Sequence, residues 1–163
     1  MAAKRLKPEE PGERVVAQNR AASFHYHILE RFEAGMVLSG TEVKSLRAGK
    51  ATLRDAYAIV RHNEVWLFNC HIPEYVSGGP WNHGPLRERK LLLHRNEIAK
   101  LAGKTQQKGL TLIALRLYFK GGRAKCEIAL ARGKQEHDRR EAIRERESRR
   151  ETAEAMRSYK RQF

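Results

Sequence analysis

The sequence predicts a mainly β fold: a small antiparallel barrel of the oligonucleotide-binding type, with one to three short helices and a charged C-terminal tail. Three observations carry this. Short runs of strong strand formers recur, separated by polar or glycine turns. Two of these separations have hairpin chemistry: His62-Asn63-Glu64 between Ala56–Arg61 and Val65–Cys70, and Lys120-Gly121-Gly122-Arg123 between Leu110–Phe119 and Ala124–Ala131. The composition then changes abruptly after Gly133, where nearly every residue becomes charged or polar.

Taken in order, residues 1–15 are Lys-, Glu- and Pro-rich and read as a flexible arm. The body is expected over 16–132. Phe24, Tyr26 and Ile28 alternate with His25, His27 and Leu29, the period of a strand with one aromatic face. A second short strand is expected between Gly35 and Gly40. In Thr41–Lys50, Val43 and Leu46 are spaced for one helix face, Thr41 can cap the start and Gly49 can end it, which leaves Lys44, Arg47 and Lys50 outside. Residues 73–85 hold three prolines and three glycines and read as a loop that exposes Trp81, Asn82 and His83. Leu91–Leu93 continue a strand. A helix is expected from Asn96 to Ala102, with Ile98 and Leu101 inward and Gly103 at its end. The tail, 133–163, has high helix propensity and possible i,i+3 and i,i+4 pairs among Glu141, Arg144, Glu145 and Arg149, but almost no apolar stripe. It is expected to be disordered alone and helical against a partner.

The chain has 163 residues, enough for one domain with a hydrophobic core. Its formal charge is +14, an excess that repels itself unless a polyanion neutralises it. No apolar run is long enough to span a bilayer and the first residues lack a signal-peptide core, so a cytoplasmic location without membrane contact is expected. Cys70 and Cys126 lie in apolar runs and read as buried, reduced thiols. His25 and His27 would share a strand face, but no further ligand stands at a supportive spacing, so no metal site is expected. Glu33, Glu42 and Asp55 are not gathered by their spacing, and no nucleophile motif or phosphate loop is present. No catalytic residue and no cofactor is therefore expected. The basic groups Lys44, Arg47, Lys50, Arg87, Arg89 and Lys90, near the planar side chains Trp81 and His83, instead suit RNA. A general RNA-binding or ribosome-assembly protein and an RNA-processing enzyme are the competing readings.

The stretch Gly40-Thr41-Glu42-Val43-Lys44-Ser45-Leu46-Arg47-Ala48-Gly49-Lys50-Ala51 resembles the signature of the SsrA-binding (small protein B) family. Ala17–Ala21, Phe32–Gly35, Arg89–Leu93, Gly133–Arg140 and Ile143–Glu147 match the same family in order, so the resemblance runs from about residue 15 to the end. It implies a bacterial, monomeric, non-catalytic adaptor. Such an adaptor binds the tRNA-like domain of transfer-messenger RNA and brings it to stalled ribosomes for trans-translation. Elongation factor Tu and alanyl-tRNA synthetase are met through the RNA.

By position, the resemblance assigns Asn19, Glu33, Leu92 and Lys125 to the tRNA-like domain. Arg20, Lys44, Ser45, Arg47, Gly49, Lys50 and Lys90 are assigned to RNA contact within the matched motifs. The tail would enter the vacant messenger channel of the small subunit and contact its ribosomal RNA. Gly133 would be its hinge, and Lys134, His137, Asp138, Arg139, Arg140 and Met156 its decoding-site residues. The chain departs from the family pattern at Gln135, Glu136, Ser148 and Ala155.

Overall fold

The computed structural model describes residues 12–161. Most of the N-terminal arm lies outside these residues. The described chain falls into two units, which divide after Gly133.

In the first unit, seven strands form one antiparallel sheet: β1 (Glu13–Gln18), β2 (Tyr26–Met36), β3 (Tyr57–Arg61), β4 (Glu64–Phe68), β5 (Arg89–Leu92), β6 (Leu110–Lys120) and β7 (Arg123–Gly133). The order is β1-β6-β3-β4-β5-β2-β7, and a further β6–β7 pairing brings the sheet nearly round into a ring. The helices are α1 (Ala22–His25), α2 (Gly40–Arg47) and α3 (Arg95–Thr105), with a 3-10 turn at Gly79–Trp81.

Both expected hairpins are present, and their turns explain why these residues stand there. His62 and Asn63 have φ of 50° and 57°, and Gly121 and Gly122 have 57° and 73°. Two successive positive φ values make the hairpin turn whose twist matches the strands, and glycine adopts them without strain.

The structure departs from the expected elements at several points. β1 begins at Glu13, inside the expected arm, because its backbone pairs with β6 from Glu13↔Lys120 to Gln18↔Arg116. Phe24 and His25 belong to α1 rather than to a strand. His25 and His27 therefore do not share a strand face. The strand expected at Phe24–Leu29 runs on to Met36 as one eleven-residue strand, β2, and residues 37–39 of the strand expected between Gly35 and Gly40 lie outside any strand. In α2 the cap is Ser39, whose N–H donates to Glu42 Oε2 at 2.8 Å, while Gly49 ends the turn at φ 76° as expected. α3 is longer than expected, from Arg95 to Thr105, so Gly103 lies inside it. The His94 N–H donates to Glu97 Oε2 at 3.0 Å at its start.

The main core lies between inward residues of the strands, joined by α2 and α3: Phe32, Ala34, Leu46, Val65, Leu67, Leu91, Leu101, Leu112, Leu117 and Ile128 are among its members, and Val16 and Ala17 of β1 pack against it. Cys70 and Cys126 are buried there, and burial pushes the Cys70 thiol up to about 11 and that of Cys126 well up, so both stay protonated. A smaller cluster of Ala22, Ile113, Leu115, Ala129 and Ala131, with Tyr26 and Ile28 against it, covers the opposite face of β6 and β7. The β6–β7 register slips between Ala114 and Arg116. This bulge ends the apolar outer patch at Leu115 and turns Arg116 and Tyr118 to the same outer face, while Leu117 and Phe119 remain in the core.

The second unit holds α4 (Glu136–Arg161). It is a continuous helix with exposed residues along nearly its whole length, including Ile143, Met156 and Tyr159. Pairs at i,i+4 run along it: Arg140–Glu136 at 2.8 Å, Arg149–Glu145, and Arg150–Glu154 at 3.6 Å.

Candidate nucleic-acid interface

Strand register gathers residues that are far apart in sequence. Gly35 of β2 stands opposite Leu92 of β5 on one side and Lys125 of β7 on the other, and Lys125 stands opposite Tyr118 of β6. Glu33 is two residues from Gly35 and so shares its face. Glu33, Leu92 and Lys125, three residues assigned by resemblance to one role, thus lie within one or two pleats on the outer face. Leu92 is half exposed and leans over the bare Gly35, where an added Cβ would stand 3.4 Å from Leu92 Cβ.

An alternating row of charges crosses this face. Glu33 Oε1 lies 3.5 Å from Lys125 Nζ, and Oε2 lies 3.6 Å from Lys120 Nζ. The Tyr118 hydroxyl donates to Glu33 Oε2. This hydrogen bond outweighs burial and, with the two lysines, holds the Glu33 carboxyl below its usual value. Tyr118 is buried beneath the Arg116 guanidinium, 4.4 Å from the ring centroid. Arg116 donates to Glu13 Oε2 at 2.8 Å and to Glu127, which also accepts from Arg31 at 3.3 Å. The Glu33 carboxylate is therefore a node between basic residues.

A second basic surface lies on α2. Lys44, Arg47 and Lys50 are exposed, and Lys44 Nζ stands 5.3 Å from the Tyr75 ring centroid. What holds this helix is buried. Glu42 has no exposed side-chain area, and its carboxylate accepts from Arg89 Nε at 2.7 Å and from Arg87 at 2.6 and 3.2 Å. Burial opposes its ionisation, but the Arg87 hydrogen bonds, the Ser39 N–H and Arg89 outweigh it and hold the carboxyl at about 2. Arg89 is itself fully buried and donates to the Cys70 and Pro85 carbonyls at 2.6 and 3.2 Å. Ser45 Oγ donates to the Pro73 carbonyl at 2.7 Å, and His83 bridges Thr41 Oγ1 and the Ile72 carbonyl, both at 2.9 Å.

These contacts revise the sequence reading. Arg89 and His83, expected at the surface, are internal ties between α2 and the 73–87 loop. Trp81 alone of the expected exposed aromatic pair is exposed, at 88 %. Glu42, which its spacing does not gather with Glu33 or Asp55, meets two arginines.

The remaining residues of interest are dispersed. Asn19 is buried at the end of β1; its N–H donates to the Leu115 carbonyl at 2.7 Å, and its amide Nδ2 to the Arg54 and Ala114 carbonyls at 3.4 Å each. It is thereby a tie across the β6 bulge. Arg20 beside it is exposed. Gly49 sits in the turn after α2, and Lys90 pairs with Glu64 on the outer face of β5 and β4. Gly133 ends β7. In the tail, His137 Nε2 lies 3.2 Å from Asp138 Oδ1. Asp138 Oδ2 also accepts from the Gln135 N–H at 3.2 Å. His137, Arg139, Arg140 and Met156 are exposed and Lys134 is half-buried.

Tyr118 and Lys120, the two residues that complete the charged row around Glu33, escape sequence reading. The available signal was Arg116, a charge inside an otherwise apolar run, which marks a strand face that is not core. Among the described residues no group of three or more His, Cys, Asp or Glu could hold a metal ion, and no helix is long and apolar enough to cross a membrane.

The family model described as SmpB protein matches residues 16–158. An SsrA-binding protein of Thermobifida fusca (strain YX) is 57% identical over 157 residues, covering 96% of this chain and 98% of that one. An SsrA-binding protein of Frankia casuarinae is 58% identical over 149 residues, covering 91% and 94%. A solved chain described under the words "tmRNA-SmpB: a journey to the center of the bacterial ribosome" superposes with a TM-score of 0.63 at 47% identity, covering 78% of this chain and 93% of that one. With near-complete coverage by such relatives and a family match over most of its length, the chain belongs to the SmpB protein family.

Proposed function

We propose that this protein is a cytoplasmic, monomeric RNA-binding adaptor that binds the tRNA-like domain of transfer-messenger RNA and brings it to stalled ribosomes. It is not an enzyme; the family is one of non-enzymatic RNA-binding proteins. The observation that carries the reading is the convergence of Glu33, Leu92 and Lys125 from three strands onto one outer face. A face with lysines beside an exposed leucine suits a folded RNA, which offers phosphates next to an unstacked base. On this reading the near-closed ring is an oligonucleotide-binding-like barrel. Arg20, Lys44, Arg47, Lys50 and Lys90 add phosphate contacts, whereas Asn19, Ser45 and Gly49 act by shaping the backbone beneath them.

The tail is the ribosome-directed half. Its helix exposes His137, Arg139, Arg140 and Met156 without an apolar stripe, which supports a role as a helix ordered along ribosomal RNA in a vacant messenger channel, and disordered when alone. Gly133 would be the hinge. Elongation factor Tu and alanyl-tRNA synthetase would be met through the shared RNA. Deleting residues 134–163 tests this division: affinity for the tRNA-like domain stays within about threefold, and peptide tagging on stalled ribosomes is lost. Loss of RNA binding on truncation would overturn it.

A further inference from the structure

We infer that Lys120 and Lys125 form a phosphate-binding pair, and that Glu33, fixed by the Tyr118 hydroxyl, is the positioning residue that holds the pair together rather than a reader of bases. The inference rests on the proposed function and deepens it by naming how one face takes the RNA backbone.

The argument starts from repulsion. Two ammonium groups on one small surface drive each other apart, and long flexible stems let them go. Here both Nζ atoms lie within 3.6 Å of one carboxylate, one at each oxygen. The carboxylate offsets their repulsion and sets their separation. Its own orientation is fixed because Oε2 accepts from the Tyr118 hydroxyl, and Tyr118 cannot swing: its ring is 2% exposed and lies under Arg116, which Glu13 and Glu127 hold from two sides. Glu13 Oε1 also lies 3.7 Å from Lys120 Nζ. The chain of contacts therefore runs from a buried, pinned ring to two solvent-facing cations.

The ligand chemistry follows from the neighbours. Lys120 ends β6 and Lys125 is the third residue of the facing strand β7, with exposed Arg123 at the same hairpin end. Three cations at one hairpin end suit a phosphodiester better than a base edge. Leu92, one register position beyond Lys125 across Gly35, offers apolar surface for the adjoining nucleoside.

The inference makes a counterintuitive prediction. Glu33→Gln raises the charge of an already basic protein, so electrostatics alone would tighten RNA binding. Positioning requires it to weaken binding instead. The test measures binding of a labelled tRNA-like-domain fragment by anisotropy over a range of salt, with thermal unfolding run alongside. The proteins are wild type, Glu33→Gln, Tyr118→Phe, their double variant and Lys120→Ala. Glu33→Gln is expected to weaken binding about tenfold. Tyr118→Phe, which removes one oxygen, weakens it in the same direction. The double variant is no weaker than Glu33→Gln alone, because Tyr118 acts through Glu33. Lys120→Ala lowers the slope of log affinity against log salt by about one, the mark of a lost phosphate contact.

Equal or tighter binding by Glu33→Gln would overturn the inference. So would a weak Glu33→Gln beside a wild-type-like Tyr118→Phe, which would place Glu33 on a base directly, or an unchanged slope in Lys120→Ala. The wild-type protein's own preference for the tRNA-like domain over tRNA tests the underlying reading separately. Lys120→Ala keeps the test decisive should the Glu33 or Tyr118 change lower stability.

Discussion

Replacing Glu42 by Gln tests the tie between α2 and the 73–87 loop. The change keeps the shape of the side chain and removes its charge. Arg89, which has no exposed side-chain area, is then a buried cation without its counterion, though its hydrogen bonds to Cys70 and Pro85 remain. Two routes give the magnitude. Breaking one partner of a buried ion pair costs about 3–5 kcal/mol. Independently, a carboxyl held at about 2 rather than its ordinary 4.5 contributes about 3 kcal/mol when ionised. The sign follows from the direction of that shift. A lowered folded pKa means the contribution is fully present above pH 4.5 and is lost as pH falls toward 2.

Urea unfolding of both proteins, repeated from pH 7 to pH 2.5, reads this directly. At pH 7 the variant is less stable by about 3 kcal/mol. The difference between the two stability curves narrows below pH 4.5, because the wild type loses what the variant never had. A variant within about 1 kcal/mol of wild type at pH 7, or two curves that stay parallel into acid, would refute the reasoning.

Two further outcomes follow from single residues. Leu92→Ala removes a half-exposed side chain, so the thermal midpoint should move by less than about 2 °C while affinity for the tRNA-like domain falls about fivefold, by thermal unfolding and anisotropy; a midpoint drop that tracks the affinity loss would make Leu92 structural. Gly122→Val forces a β-branched residue to φ 73° in the β6–β7 turn and should cost about 1–2 kcal/mol in denaturant unfolding; an unchanged midpoint would mean that the turn relaxes to another type.

Much of the fold is written locally. His62-Asn63 and Gly121-Gly122 announce their turns, because few residues adopt positive φ. The turn at Gly49 is legible for the same reason. β1 is not: Arg14-Val15-Val16-Ala17 is too short a run to stand apart from its charged surroundings, and it becomes a strand only because β6 offers an edge. The burial of Glu42, His83 and Arg89 is also invisible in sequence. A polar residue goes inside only when its partners meet it there, and those partners come from an α2 and a loop some 40 residues apart.

The site follows the same division. Glu33, Leu92 and Lys125 emerge from family resemblance, not from any spacing, because register alone brings them together. Tyr118 is hidden within a run that is apolar but for Thr111 and Arg116, where strict alternation cannot anticipate the bulge at Leu115 that puts Arg116 and Tyr118 on one face. Asn19 shows the converse: its position is matched, but its amide points inward to Arg54 and Ala114, so any effect it has on RNA passes through the backbone.

Competition binding probes the central claim most directly. The full-length protein is bound to the labelled tRNA-like domain of transfer-messenger RNA at physiological salt, then challenged with unlabelled tRNA-like domain, tRNA or ribosomal RNA fragments of equal length. The account predicts displacement by the tRNA-like domain at concentrations at least about tenfold below those needed for the other RNAs, a margin of about 1.4 kcal/mol. Equal displacement by all three would show a general polyanion binder and contradict it.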